Sequence, residues 1–299
     1  MSGKKQKVIA TFEDAQRSFR SILEEVSAHR APRDLFRDFL EVASIVVSQM
    51  PYNAGAIPKD ERFNEREAQY FAIAKRHSEK EMNAFASLLG MTTFAVQTFE
   101  RDFLGPIYMD FGANERNGEF YTPESLGITM ARMTLTRSFL ESILNQKKLI
   151  TISDPACGSG GLLIEAYQVI KEELQIDDAS DRVLFHAVDV SRNAFNMCVI
   201  QLGLLGVMAD IYHGNTLTLE TFEHRDTPAL ALWRHQCRTD PALRMLLFLR
   251  QLEQETCANR LIEQPNDGDA IAEEAVAASK LEASEADVTF TPQQLKLFE

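Results

Sequence analysis

The sequence predicts an α/β fold in which a helical N-terminal region precedes a parallel sheet with intervening helices and an acidic tail follows it. Three observations carry this. Apolar residues recur at helical spacing through the first hundred positions, which is how a helix buries one face. Three apolar, β-branched runs then follow at 148–153, 182–189 and 209–212, separated by stretches long enough for one helix each. After Gln251, eleven acidic residues stand against three basic ones, so the net charge of −13 is concentrated at that end.

In the helical region, Phe12, Ala15, Phe19, Ile22 and Val26 form one stripe over 12–28, and Leu35, Phe36, Phe39, Leu40 and Ala43 form a second over 33–50, which Pro51 stops. Further helices are expected over 65–74 and 80–100, the latter with Ser78 as a candidate cap. The first strand runs into Asp154-Pro155-Ala156-Cys157-Gly158-Ser159-Gly160-Gly161, and Leu162 to Glu173 resumes helical spacing. A strand, a glycine-rich turn and a helix in that order let the backbone approach a ligand closely and point unpaired N–H groups at it. An acid at the head of this loop suits a cationic ligand better than a phosphate.

The second strand ends in Asp189, 28 residues beyond Gly161. An acid there can accept hydrogen bonds from both hydroxyls of a ribose; it can equally serve the next helix as an N-terminal acid. The third strand leads into His213-Gly214-Asn215, where Asn215 reads as a turn residue whose amide can both donate and accept. Cys157 reads as packing. The cysteines at 157, 198, 237 and 257 show neither Cys-x-x-Cys spacing nor a paired histidine motif, so no metal site and no disulfide framework is expected. No apolar run is long enough to cross a membrane and no signal peptide is evident, which leads to the expectation of a cytoplasmic protein.

The loop Asp154–Gly161 resembles the S-adenosylmethionine loop of adenine-N6 DNA methyltransferases, particularly the modification subunit of type I restriction systems and its plasmid- and phage-borne relatives. Gly118-Glu119-Phe120-Tyr121-Thr122-Pro123 is similar to the Gly-x-Phe-x-Thr-Pro element that precedes the loop in that family. The resemblance covers about residues 100 to 220 and implies a Rossmann-like methyltransferase sheet. It implies S-adenosylmethionine as cofactor, with Phe120, Tyr121, Thr122, Asp154, Ala156, Gly158, Gly160, Asp189 and Asn215 around it. Three parts are expected: a helical domain over 1–105, a methyltransferase-like domain over 106–252, and an acidic linker over 253–299.

The sequence departs from the family after residue 217. The Asp/Asn/Ser-Pro-Pro-Tyr/Phe tetrapeptide that holds and stacks a flipped adenine has no counterpart, and Thr227-Pro228-Ala229-Leu230 and Asp240-Pro241-Ala242-Leu243 supply no aromatic in the last place. An irregular or mainly helical segment is therefore expected over 218–251, the sheet reads as incomplete, and the catalytic residue is unassigned. The resemblance points to an abbreviated methyltransferase without its own target-recognition domain, or to a catalytically silent relative acting in anti-restriction or at the replication clamp. DNA is the implied partner, bound weakly or with help, because the body is not basic. Arg225, Arg234, Arg238, Arg244 and Arg250 with His224 and His235 form either a local positive strip or a solvated helix face. Finally, Gln294-Leu295-Lys296-Leu297-Phe298 resembles the Gln-Leu-x-Leu-Phe peptide that docks bacterial proteins on the sliding clamp, with Gln294, Leu295, Leu297 and Phe298 as its contacts.

Overall fold

The computed structural model describes residues 11–27, 30–111, 124–147 and 149–242. Helices α1 (Phe12–Val26), α2 (Pro32–Ser48), α3 (Met50–Asn53), α4 (Glu61–Ala74), α5 (Glu79–Phe99) and α6 (Leu104–Asp110) come first. Their starts obey local chemistry. Thr11 Oγ1 accepts the N–H of Asp14 at 3.1 Å, Asp60 accepts that of Phe63 at 2.9 Å, and Ser78 with Glu81 forms a reciprocal capping box. Pro51 lies inside the short α3 rather than ending a helix, because proline is tolerated in a first turn.

Helices α7 (Glu124–Thr134) and α8 (Arg137–Lys147) lead to the sheet: β1 (Ile150–Asp154), α9 (Gly161–Leu174), β2 (Val183–Asp189), α10 (Arg192–Leu205), β3 (Met208–Asn215), β4 (Glu220–Asp226) and α11 (Pro228–Thr239). The strand order is β1-β2-β3-β4, with the first three parallel and β4 antiparallel to β3. Each parallel step is crossed by one helix, as parallel neighbours require. The expectation of an irregular or mainly helical 218–251 is thus corrected over 220–226. The turn after Asn215 folds the chain straight back, so β4 pairs locally with β3 at the cost of a very short loop. Residues from 243 onward, including the candidate clamp peptide, lie outside the described residues.

Residues up to Trp233 form one compact unit, and Arg234 opens a second, whose described residues are the last turns of α11 and residues 240–242. Two apolar cores lie within the first unit. One is helical and rich in phenylalanine, with the rings of Phe12, Phe19, Phe36, Phe39 and Phe103 meeting mostly edge to face. The other lies between the sheet residues Val183, Phe185, Ala187, Ala209 and Ile211 and the helices α9 and α10. Helix α10 belongs to both, giving Met197, Ile200 and Leu204 to the helical core and Cys198, Val199 and Leu202 to the sheet core. It is buried nearly all round, and its buried polar residues are Asn196 and Gln201.

A polar seam ties β4 to the helical region. Arg225 is fully buried; its Nε donates to Glu223 at 2.6 Å and its Nη1 to Ser44 of α2 at 2.6 Å. Arg192 donates to both carboxylate oxygens of Glu41 and pairs with Glu223. Burial pulls the Arg225 guanidinium down to about 10, opposed by the Glu223 charge. Arg225 is therefore not part of a surface strip: strand alternation at β4 turns it inward.

Candidate cofactor-binding site

The C-terminal ends of β1, β2 and β3 lie side by side, with Asp154 in register with Ala187, and Asp189 with His213. At this edge of a parallel sheet the next helices begin, and their first N–H groups face outward. The loop from Asp154 to Gly161 is fastened at several points. Asp154 Oδ1 accepts the N–H of Ala156 at 3.1 Å, Cys157 N donates to Val188 O at 3.0 Å, and Gly160 N donates to Cys157 O at 2.8 Å. Burial pushes the Asp154 carboxyl above its ordinary value, opposed by the Ala156 N–H.

Asp189 joins this loop to the end of β2. Its Oδ2 accepts the N–H of Gly158 at 2.8 Å and its Oδ1 that of Ser191 at 2.7 Å. The two sequence readings of Asp189 thus coexist: it secures the entry to α10 and sits against the glycine loop. Gly160 has φ +89°, and a β-carbon there would lie 3.2 Å from the sulfur of Cys198. Only glycine meets both conditions without strain. Cys157 is buried, and its contact with Cys198, together with burial, holds its thiol well above the usual range, which suits packing rather than nucleophilic use.

Asn215 reaches the same edge from β3. Its side-chain oxygen accepts the N–H of Leu217 at 2.9 Å and of Thr218 at 3.3 Å, the turn arrangement. Next to it, Thr216 Oγ1 donates to Pro155 O at 2.6 Å, so the β3–β4 turn is pinned onto the loop. Val190, Leu217, Leu219 and Phe222 are exposed along this rim. The structure therefore gathers Asp154, Ala156, Gly158, Gly160, Asp189 and Asn215 at one edge. Phe120, Tyr121 and Thr122 lie outside the described residues.

Sequence reasoning missed Thr216 and a buried polar group behind the loop, formed by Asp102, Ser159 and Gln201. No local signal marks Asp102 or Gln201, since their partners are distant in the chain. Among the described residues no cluster of three or more His, Cys, Asp or Glu is placed to hold a metal ion, and no helix is long and apolar enough to cross a membrane.

Residues 100–232 match the family described as N-6 DNA Methylase. That match covers less than half of the chain. The matched segment begins just before the Asp102 connection and ends within α11, so it holds every site residue named above. The chain is also similar to the type I restriction enzyme MpnII methylase subunit of Mycoplasma pneumoniae, at 21% identity over 225 residues, covering 71% of this chain and 38% of that protein. Among solved structures it is similar to a putative class I S-adenosylmethionine-dependent methyltransferase from Listeria monocytogenes. That likeness has 16% identity and a TM-score of 0.35 and covers 69% of this chain and 55% of the other.

Proposed function

We propose that the chain acts as an S-adenosylmethionine-dependent methyltransferase of the adenine-N6 DNA class, with its cofactor seated at the C-terminal edge of β1, β2 and β3. One observation carries the reading: Asp189, at the end of β2, is hydrogen-bonded to the backbone of the glycine loop that ends β1. A carboxylate beside a turn whose glycine cannot be replaced is suited to a ribose next to a backbone that must approach the ligand closely. The donor set fits the cofactor in charge as well: Asp154 and Asp189 are acids, and S-adenosylmethionine carries a sulfonium and an ammonium group. When bound, it supplies a methyl group activated by the sulfonium. The chain's own part is to bind and orient: Asp189 the ribose, the loop amides and Asp154 the amino-acid end, and Phe120 with Tyr121 the wall at the methionine end.

One observation favours a second reading, a relative that binds cofactor without transferring methyl. Residues 220–239 build the hairpin strand β4 and helix α11, and the sequence offers no Asp/Asn/Ser-Pro-Pro-Tyr/Phe element to hold a target amine. Anti-restriction or action at the replication clamp are roles that ask only for binding.

Calorimetry with S-adenosylmethionine tests the site. Saturable binding that weakens at least about tenfold in Asp189→Ala, the loss of a charged hydrogen-bonding group, and that disappears in Gly160→Leu is expected. No heat at high ligand concentration removes the proposal. Transfer of labelled methyl to mixed single- and double-stranded DNA then separates the readings. Incorporation abolished in Asp154→Ala supports the enzyme, and none at saturating cofactor supports the binding protein.

A further inference from the structure

Glycine-rich loops lose more conformational freedom on ordering than other segments, so a loop that binds well has to be held from outside. Here the hold comes from residues far away in the chain. Ser159, between two glycines and almost wholly buried, donates its Oγ–H to Asp102 Oδ2 at 2.6 Å, and its carbonyl accepts Gln201 Nε2–H at 2.8 Å. Gln201, on α10 and fully buried, uses its whole amide. Nε2 also donates to Asp102 Oδ1 at 2.9 Å, while Oε1 accepts the N–H groups of Phe103 at 2.7 Å and Leu104 at 3.0 Å. Asp102 Oδ1 takes the N–H of Gly105 at 2.9 Å. Space is used up as well: a β-carbon on Gly105 would lie 2.2 Å from Asp102 Oδ2 and 2.7 Å from Ser159 Oγ.

The connection between α5 and α6 is itself fixed. Glu100 takes a left-handed conformation at φ +50°, pairs with Lys171 of α9 at 2.7 Å, and accepts Gln168 Nε2–H on its carbonyl oxygen. One short strap, residues 100–105, thus grips both the glycine loop and the helix after it. Asp189 secures Gly158; Asp102 and Gln201 secure the next residue.

We propose that Asp102 and Gln201 are positioning residues, which preset the Gly158–Gly161 turn for its ligand by holding Ser159 from behind. This rests on the cofactor reading above. The same network can be satisfied by an amide at 102. An asparagine keeps one oxygen for Gly105 and Gln201 and offers an N–H to Ser159 Oγ, which then accepts instead of donating. Burial raises the Asp102 carboxyl above its ordinary value, opposed by the hydrogen bonds from Ser159, Gln201 and Gly105.

The test combines amide hydrogen exchange of the whole protein, read at residues 157–163 and at α2, with S-adenosylmethionine affinity by calorimetry. The variants are Ser159→Ala, Gln201→Met and Asp102→Asn. Expected in Ser159→Ala are loop exchange about tenfold faster and affinity about tenfold weaker, the scale of one buried hydrogen bond lost, and in Gln201→Met, which loses four, changes at least as large, with α2 exchange unchanged in both; Asp102→Asn stays near wild type in loop exchange and affinity. Loop exchange at the wild-type rate in Ser159→Ala overturns the proposal even if Gln201→Met fails to fold. Faster loop exchange with unaltered affinity overturns it too. If the wild type takes up no cofactor, the functional reading falls, and loop exchange alone then decides whether the network holds the turn.

Discussion

Glu165 of α9 and Gly127 of α7 lie so close that a β-carbon on the glycine would sit 1.6 Å from Glu165 Oε2. That oxygen is buried without a hydrogen-bond partner among the described residues. Burial, with the charges of Glu124 and Asp102 adding to it, pushes the Glu165 carboxyl up to about 8 from an ordinary 4.5. The folded chain therefore holds one more proton than the unfolded chain between these values, and stability falls as pH rises from about 4.5 to about 8. Glu165→Gln is expected to raise Tm by a few degrees at pH 8.5 and to leave it unchanged at pH 5. Thermal melts across that range check this; an equal shift at both ends sinks it.

The β3–β4 turn has no room at Gly214, where a β-carbon would meet the backbone oxygen of Glu220 at 2.5 Å beside a register shift in the ladder. Backbone cannot step aside as the end of a side chain can. Gly214→Ala is expected to cost about 1–3 kcal/mol and to loosen β4, seen in urea unfolding and in faster exchange over 220–226. A loss below about 0.5 kcal/mol contradicts the tight pairing.

Arg225 is a buried cation whose removal leaves Glu223 with Arg192 alone. Arg225→Met should lose about 3 kcal/mol, at the lower end for breaking a buried pair because one partner remains. Adding Glu223→Gln should restore part of the loss. Equilibrium unfolding of the single and double variants measures the coupling, and strict additivity would show that the two do not interact.

The peptide over 287–299 is expected to bind a bacterial sliding clamp, with Leu295, Leu297 and Phe298 as apolar anchors and Gln294 at the pocket rim. Fluorescence anisotropy of the labelled peptide checks this. Binding that does not saturate, or that survives replacement of Leu297 and Phe298 by alanine, disposes of it.

Local sequence alone determined the three parallel strands, the helix stripes, the Ser78 cap and the glycine loop between β1 and α9. Each depends on periodicity or on residues a few positions apart: alternation and β-branching for strands, apolar recurrence for α1 and α2, glycines where the backbone turns left-handed. Asp154 and Asp189 were legible because strand ends are readable, and the spacing between Gly161 and Asp189 admits one helix and one strand. Tertiary structure decided the rest. Glu220 to Asp226 carries little apolar signal, and becomes a strand because the turn at Asn215 delivers it to the open edge of β3. Arg225 looks like a surface cation until Glu223 and Ser44 surround it. Asp102, Ser159 and Gln201 have nothing in common in sequence, since a buried hydrogen-bond network satisfies donors and acceptors wherever the fold happens to bring them. What lies within a turn or a strand is written in neighbouring residues, whereas what holds that turn still depends on contacts between segments that only folding places together.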